Sequence, residues 1–192
     1  ISNDPDTIEL DSEFININNR IVSYGPSGNT DCDILTTRLK VDGNIISFTG
    51  AHKTKCVNTE TIEVGMICVS TGMFETPINI NNAMPICELS DKDNDKRCIG
   101  VCSVKLANDM CILNAVGEGC IWVTNVHGNF ENGDYITTTA MFPGYGVKQG
   151  DDLMHNYTVA KITQDIEFNN EDTMEIADGY KAQFVACIYY CG

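Results

Sequence analysis

From Thr61 to Tyr190 short apolar runs rich in Ile, Val and Thr alternate with breaks of Gly, Asn and Asp. The runs predict strands at Thr61 to Ser70, Pro85 to Leu89, Arg97 to Lys105, Met110 to Val116, Cys120 to Val126, Asp134 to Thr139, Asn156 to Asp165 and Lys181 to Tyr190. β-Branched and aromatic residues bounded by turn formers fit a pleated surface better than a helix. Short strands at this spacing indicate an all-β fold, a compact antiparallel β-barrel or β-sandwich, rather than alternating helix and strand. Gly128-Asn129 and Asn132-Gly133-Asp134 read as turns that make Trp122 to Thr139 a hairpin or meander on one barrel edge, and the charged run Asp91 to Arg97 reads as a solvated loop. Upstream, Arg38 to Val41 and Asn44 to Phe48 flank Asp42-Gly43, the strongest short hairpin signal in the chain. The segment before it is polar, with turn clusters at Asn16 to Asn19 and Tyr24 to Asn29. The expected organisation is an N-terminal arm or connector over residues 1–40 and a β-barrel domain over residues 41–192.

Composition sharpens this picture. Ile and Val number 34 against 16 for Leu and Ala, with 17 Thr, which favours sheet over helix. Nineteen Asn and 16 Gly supply residues that accept the positive φ of tight turns. A formal charge of -15 with no basic run argues against nucleic acid and anionic membrane surfaces as partners. No stretch approaches the roughly 20 apolar residues of a membrane helix, so membrane insertion is not expected. Ile1 to Asp11 are acidic, unlike a secretory signal, and the Ile start predicts that the residues belong to a longer translated product. No P-loop, dinucleotide fingerprint, nucleophile elbow or H-E-x-x-H motif occurs.

Ten cysteines stand at Cys32, Cys56, Cys68, Cys87, Cys98, Cys102, Cys111, Cys120, Cys187 and Cys191, below the density of a disulfide-held miniprotein. Several lie inside apolar strand patterns, where a thiol behaves as a small buried hydrophobe. The only close pairs are Cys98/Cys102 and Cys187/Cys191, with no C-x2-C and no histidine nearby. Residues four apart on a strand share a face about 13 Å apart, too far for one ion. Spacing therefore predicts no metal and no other cofactor, and leaves oxidised cross-links between neighbouring strands open.

A longer signature runs through Gly117-Glu118-Gly119-Cys120-Ile121-Trp122-Val123, Gly128-Asn129-Phe130-Glu131-Asn132-Gly133-Asp134-Tyr135-Ile136, Pro143-Gly144-Tyr145-Gly146 and Asn156-Tyr157-Thr158-Val159-Ala160-Lys161. Ser47 to His52, Val64 to Gly72 and Asp95 to Val101 extend it. In order and spacing these segments resemble the intramolecular-chaperone autoproteolytic cleavage domain, of glutamic-peptidase type, of phage appendage and tailspike proteins, and are most like its copies in giant viruses. The resemblance implies a virion location, a homotrimer, other virion proteins as partners, and an ancestral self-cleavage that releases a C-terminal chaperone. Under that reading Glu118, between two glycines in an expected turn, is the first candidate catalytic carboxylate, and His52 is a candidate general base. The phage pattern cuts a Ser-Asp bond, here Ser90-Asp91, but its downstream glutamate is missing, so a structural role in a fibre, spike or capsid decoration is expected ahead of peptidase activity. A third reading is a carbohydrate-binding module, in which Trp122, Tyr135 and Tyr145 stack on host-surface glycans. His127 and His155 are assigned no role.

Overall fold

A computed structural model of the chain describes residues 50–75, 78 and 83–191, together with the backbone of residues 40–41 and 44–45. The chain divides into two units, residues 1–45 and residues 46–192. In the first, β1 (Lys40–Val41) pairs antiparallel with β2 (Asn44–Ile45), as the Asp42-Gly43 signal predicts. The turn itself and the apolar residues of the arm lie outside the described residues.

The second unit holds two sheets. Strands β3 (His52–Cys56), β4 (Ile67–Phe74), β5 (Pro85–Leu89), β6 (Cys98–Leu106) and β7 (Met110–Asn114) form a closed barrel in the order β3-β5-β4-β6-β7. Strands β8 (Val116–Thr124), β9 (Tyr135–Thr138), β10 (Gly146–Lys148), β11 (Ala160–Ile162), β12 (Thr173–Ala177) and β13 (Tyr180–Tyr190) form a sheet in the order β11-β9-β10-β8-β13-β12. Because β11 also pairs with β13, this sheet closes on itself as well. Pairing is antiparallel apart from the short parallel contacts of β3 with β5 and of β10 with β8. The fold is all-β, and among the described residues helix is limited to one 3-10 turn, Asn125–His127.

Two cores result. Cys56, Ile62, Cys68, Cys87, Cys102, Cys111 and Leu113 fill the barrel. The larger core gathers Ile121, Val123, Phe130, Ile136, Val159, Ile166, Val185 and Tyr189 of the second sheet and its loops, and it also takes Ile67 of β4 and Val101 of β6. Successive strand residues point to opposite faces, so Ile67 and Cys68, and likewise Val101 and Cys102, serve different cores. That double burial explains why residues 67–69 of β4 and 98–102 of β6 read as short continuous apolar runs rather than alternating ones. Burying each such aliphatic side chain contributes roughly 1.5–3 kcal/mol.

Several expectations change. Trp122 to Thr139 is not a hairpin: β8 and β9 do not pair, and β10 lies between them, antiparallel to β9 and parallel to β8. Strands β3, β10 and β12 have no counterpart in the hydrophobic pattern. β3 reads His-Lys-Thr-Lys-Cys and buries only Thr54 and Cys56, and β10 is three residues long. The run Asp91 to Arg97 is not wholly solvated, because Asp95 is buried and Arg97 lies over it with Nη2 2.6 Å from Oδ2. The Asp95 amide donates to Thr138 Oγ1 at 2.7 Å, and the Ala140 amide donates to Asp93 Oδ1 at 2.8 Å. A charged loop is thus clamped to the end of β9, since a buried carboxylate needs both a counter-ion and donors.

Burial alone would raise the Asp95 pKa, but its hydrogen bonds and charge contact with Arg97 outweigh burial and hold it below the usual carboxylate range. A depressed folded-state value means the interaction stabilises the fold above about pH 3.9, the ordinary aspartate value, and is lost as the pH falls through the folded value. Asp95→Ala is expected to cost about 2 kcal/mol at neutral pH by denaturant titration. The gap between variant and parent should narrow on acidification below about pH 4; a gap that widens there contradicts the pairing.

Candidate functional site

β8 and β13 are the longest paired strands, in register from Ala182↔Thr124 to Tyr190↔Val116. Alternation sends Ile121, Val123, Val185, Cys187 and Tyr189 inward, where all are buried. The other parity presents Val116, Glu118, Cys120 and Trp122 from β8 beside Tyr190, Ile188, Ala186 and Phe184 from β13. Val116, Phe184 and Ile188 remain 49, 43 and 39% exposed, and Glu118 is the single charge in the strip. A sheet face that meets water is normally polar; this one is apolar and open.

At one end the strip carries an aromatic cluster. The Trp122 ring lies 5.2 Å from Phe184, its cross-strand partner, and 6.2 Å from Tyr145 in the turn before β10. Trp122 Nε1 donates to the Val64 carbonyl at 3.1 Å. Gly65, at φ +90°, packs against both the Trp122 and Phe184 rings, where any Cβ would collide. Trp122 is therefore half-buried and covered, with Val64 44% exposed beside it. Of the three candidate binding aromatics the fold brings Trp122 and Tyr145 together and sets Tyr135 elsewhere, edge-on to Tyr190 at 6.3 Å with Lys161 Nζ 5.5 Å from its ring. Phe184 was not predicted; the apolar sequence of β13 marks it as strand but not which face it takes.

The candidate catalytic residues are not assembled. Glu118 is not in a turn but inside β8, opposite Ile188, exposed and without a side-chain partner among the described residues. Its flanking glycines have other causes: Gly117 takes φ +97°, and Gly119 lies under the Tyr189 ring, which leaves no room for a Cβ. His52 opens β3 and, among the described residues, its ring hydrogen-bonds only the Gly50 carbonyl, at 3.4 Å. No hydrogen bond or ion pair joins His52 to Glu118. Ser90, of the Ser-Asp bond, is fully buried between β5 and β6; its amide donates to the Ile67 carbonyl at 3.0 Å and its carbonyl accepts from the Gly144 amide at 2.9 Å. An open hollow lined by Asn129, Glu131, Asn132, Asp165 and Glu167 gathers three carboxylates. The Asp165 carboxylate there accepts from the Asn132 amide at 2.7 Å, tying down a loop rather than facing a substrate.

The barrel interior holds a second constellation. Each of its five strands contributes one inward cysteine: Cys56 from β3, Cys87 from β5, Cys68 from β4, Cys102 from β6 and Cys111 from β7. Three sulfurs converge, with Sγ separations of 3.0 Å for Cys56–Cys111, 3.7 Å for Cys56–Cys87 and 3.9 Å for Cys87–Cys111. All three residues are at most 2% exposed. Contact with Cys111, and then burial, push the Cys102 thiol well above the ordinary range. The expectation of no metal rested on spacing along single strands; the barrel brings together sulfurs that are 24 to 55 residues apart. Elsewhere Cys98 and Cys191 place their sulfurs 3.3 Å apart, joining β6 to the residue after β13.

In the native protein a maleimide should leave Cys56, Cys68, Cys87, Cys102, Cys111 and Cys187 unmodified. Burial, together with the adjacent Cys120, raises the Cys187 thiol to about 12, and only a thiolate reacts. Mass spectrometry should find these residues labelled only after denaturation; labelling of Cys87 at the rate of an exposed thiol contradicts the closed barrel. Compared with known proteins, the chain matches no family model and no curated protein.

Proposed function

We propose that the chain is a non-catalytic structural domain of a virus particle, part of a fibre, spike or capsid decoration, and that it is held in a homotrimer through the outer face of β8 and β13. The observation that carries this reading is the apolar strip on the longest strand pair of the unit, in which Val116, Phe184 and Ile188 are exposed and Trp122 and Tyr190 are half-buried beside them. Contiguous exposed apolar surface on a protein this acidic marks a contact site rather than a solvated face. The resemblance to trimeric appendage proteins supports the stoichiometry, and the scattered positions of His52 and Glu118 support a role without catalysis. Glycan stacking receives less support, because Gly65, Phe184 and Tyr145 already cover Trp122.

The full chain should be trimeric by multi-angle light scattering. Phe184→Asp combined with Ile188→Asp places unpaired charges in the contact, at a cost of several kcal/mol, and should yield a monomer with an unchanged β spectrum. Cys120 lies on the same face and supplies an internal reporter. In a Cys32→Ser background its alkylation should be slow in the trimer and fast in the double variant. A parent chain that stays monomeric at high concentration, with Cys120 freely reactive, sinks the proposal.

A further inference from the structure

The thiol ring of the barrel has no part in the contact face, and its chemistry points elsewhere. Cys56, Cys87 and Cys111 set their sulfurs within 3.9 Å of one another in a space closed to water. With metal–thiolate bonds of about 2.3 Å, ligand sulfurs stand about 4.0 Å apart in a trigonal site and about 3.8 Å apart in a tetrahedral one. Two of the three separations, 3.7 and 3.9 Å, fall near these values, and the Cys56–Cys111 pair at 3.0 Å has to open by about 1 Å.

An independent observation lies on the next strand position. Thr54 is fully buried, and its Oγ1 has no hydrogen-bond partner. It is two residues from Cys56 on β3 and directly opposite Cys111 on β7, so it shares the inner face with both. An orphaned hydroxyl in a dry core carries a desolvation cost. A thiolate at Cys111 would accept its proton in a hydrogen bond; a neutral thiol cluster leaves it idle.

We propose that the barrel binds one monovalent copper ion through the sulfurs of Cys56, Cys87 and Cys111, with the Thr54 hydroxyl supporting the thiolates from outside the coordination shell. Soft sulfur donors without nitrogen or oxygen select soft ions. Structural zinc almost always takes four ligands, and Cys68 and Cys102 lie outside the set of sulfurs that all fall within 4.8 Å of one another. Three donors, all sulfur, shielded from water, match three-coordinate copper(I). Binding keeps one thiol protonated and releases two protons, so that copper(I) and three thiols give a complex of charge -1 plus two protons. No electron is transferred.

The test uses the full chain with Cys32→Ser, Cys98→Ser and Cys120→Ser, which removes the exposed thiol of Cys120, the partly exposed thiol of Cys98 and the thiol of Cys32 upstream of the barrel. Copper(I), added anaerobically as its acetonitrile complex before and after a cycle of unfolding, competes against bicinchoninate. One equivalent should be retained, and X-ray absorption at the copper edge should show a shell of three sulfurs. Cys87→Ala and Cys111→Ala should each abolish retention. Because these variants remove core volume, Thr54→Val is the companion: it should raise the melting temperature of the metal-free protein and weaken copper binding by about 10-fold, as loss of an outer-shell partner does. The site is overturned by a folded protein that retains no copper, by a shell of two sulfurs, or by a Thr54→Val variant whose affinity is unchanged. Stoichiometric zinc(II), held in preference to copper when both are offered, overturns the choice of metal.

Discussion

β4 over residues 67–69 and β6 over residues 100–102 are buried on both faces, and the rest of the unit depends on that shared wall. Ile67 and Val101 complete the core of the second sheet, while Cys68 and Cys102, one residue further on, face into the barrel. A one-residue slip of either strand would exchange the two sets and fill neither core. Register is therefore fixed twice, and the chain has to reach the wall from both sides. The Ile67 amide donates to the Gly144 carbonyl at 2.7 Å and the Gly144 amide donates to Ser90 at 2.9 Å, which locks the Tyr145 turn to the barrel.

The narrow barrel sets what can fill it. Five strands enclose a narrow interior, filled here by five cysteines together with Ile62 and Leu113. Cysteine is compact, apolar and polarizable, and each strand supplies one. The same geometry that makes a thiol a good filler also brings thiols into chelating range, so packing and metal affinity are two consequences of one constraint. Thr54 is one of three buried hydroxyls without a partner among the described residues, with Ser90 and Thr124, and the one that shares a face with the converging sulfurs.

The second sheet resolves a different problem. β13 runs the length of β8 on one edge and shares its other edge between β12 and β11. Its inner parity is committed to the core, which leaves the outer parity to whatever covers it. Phe184 and Trp122 stack there with Gly65 fitted against them. Glu118 is the single charge on that parity.

Local chemistry determined much of the outline. β-Branched runs and Gly/Asn/Asp breaks placed β5 at Pro85–Leu89 and β13 close to its observed span, because those signals depend only on neighbouring residues. They did not reveal β3, whose lysines face outward and whose inward residues are a threonine and a cysteine. Nor did they show that Gly119 flanks Glu118 to make room for the Tyr189 ring, 70 residues further on, rather than to form a turn. Asp95 looked solvated because its partners Arg97 and Thr138 form a clamp only after β9 has docked. The cysteines show the limit most clearly: as residues in a sequence they are too widely spaced to act together, and only closure of the barrel, an event of strand order rather than of strand composition, brings their sulfurs into contact.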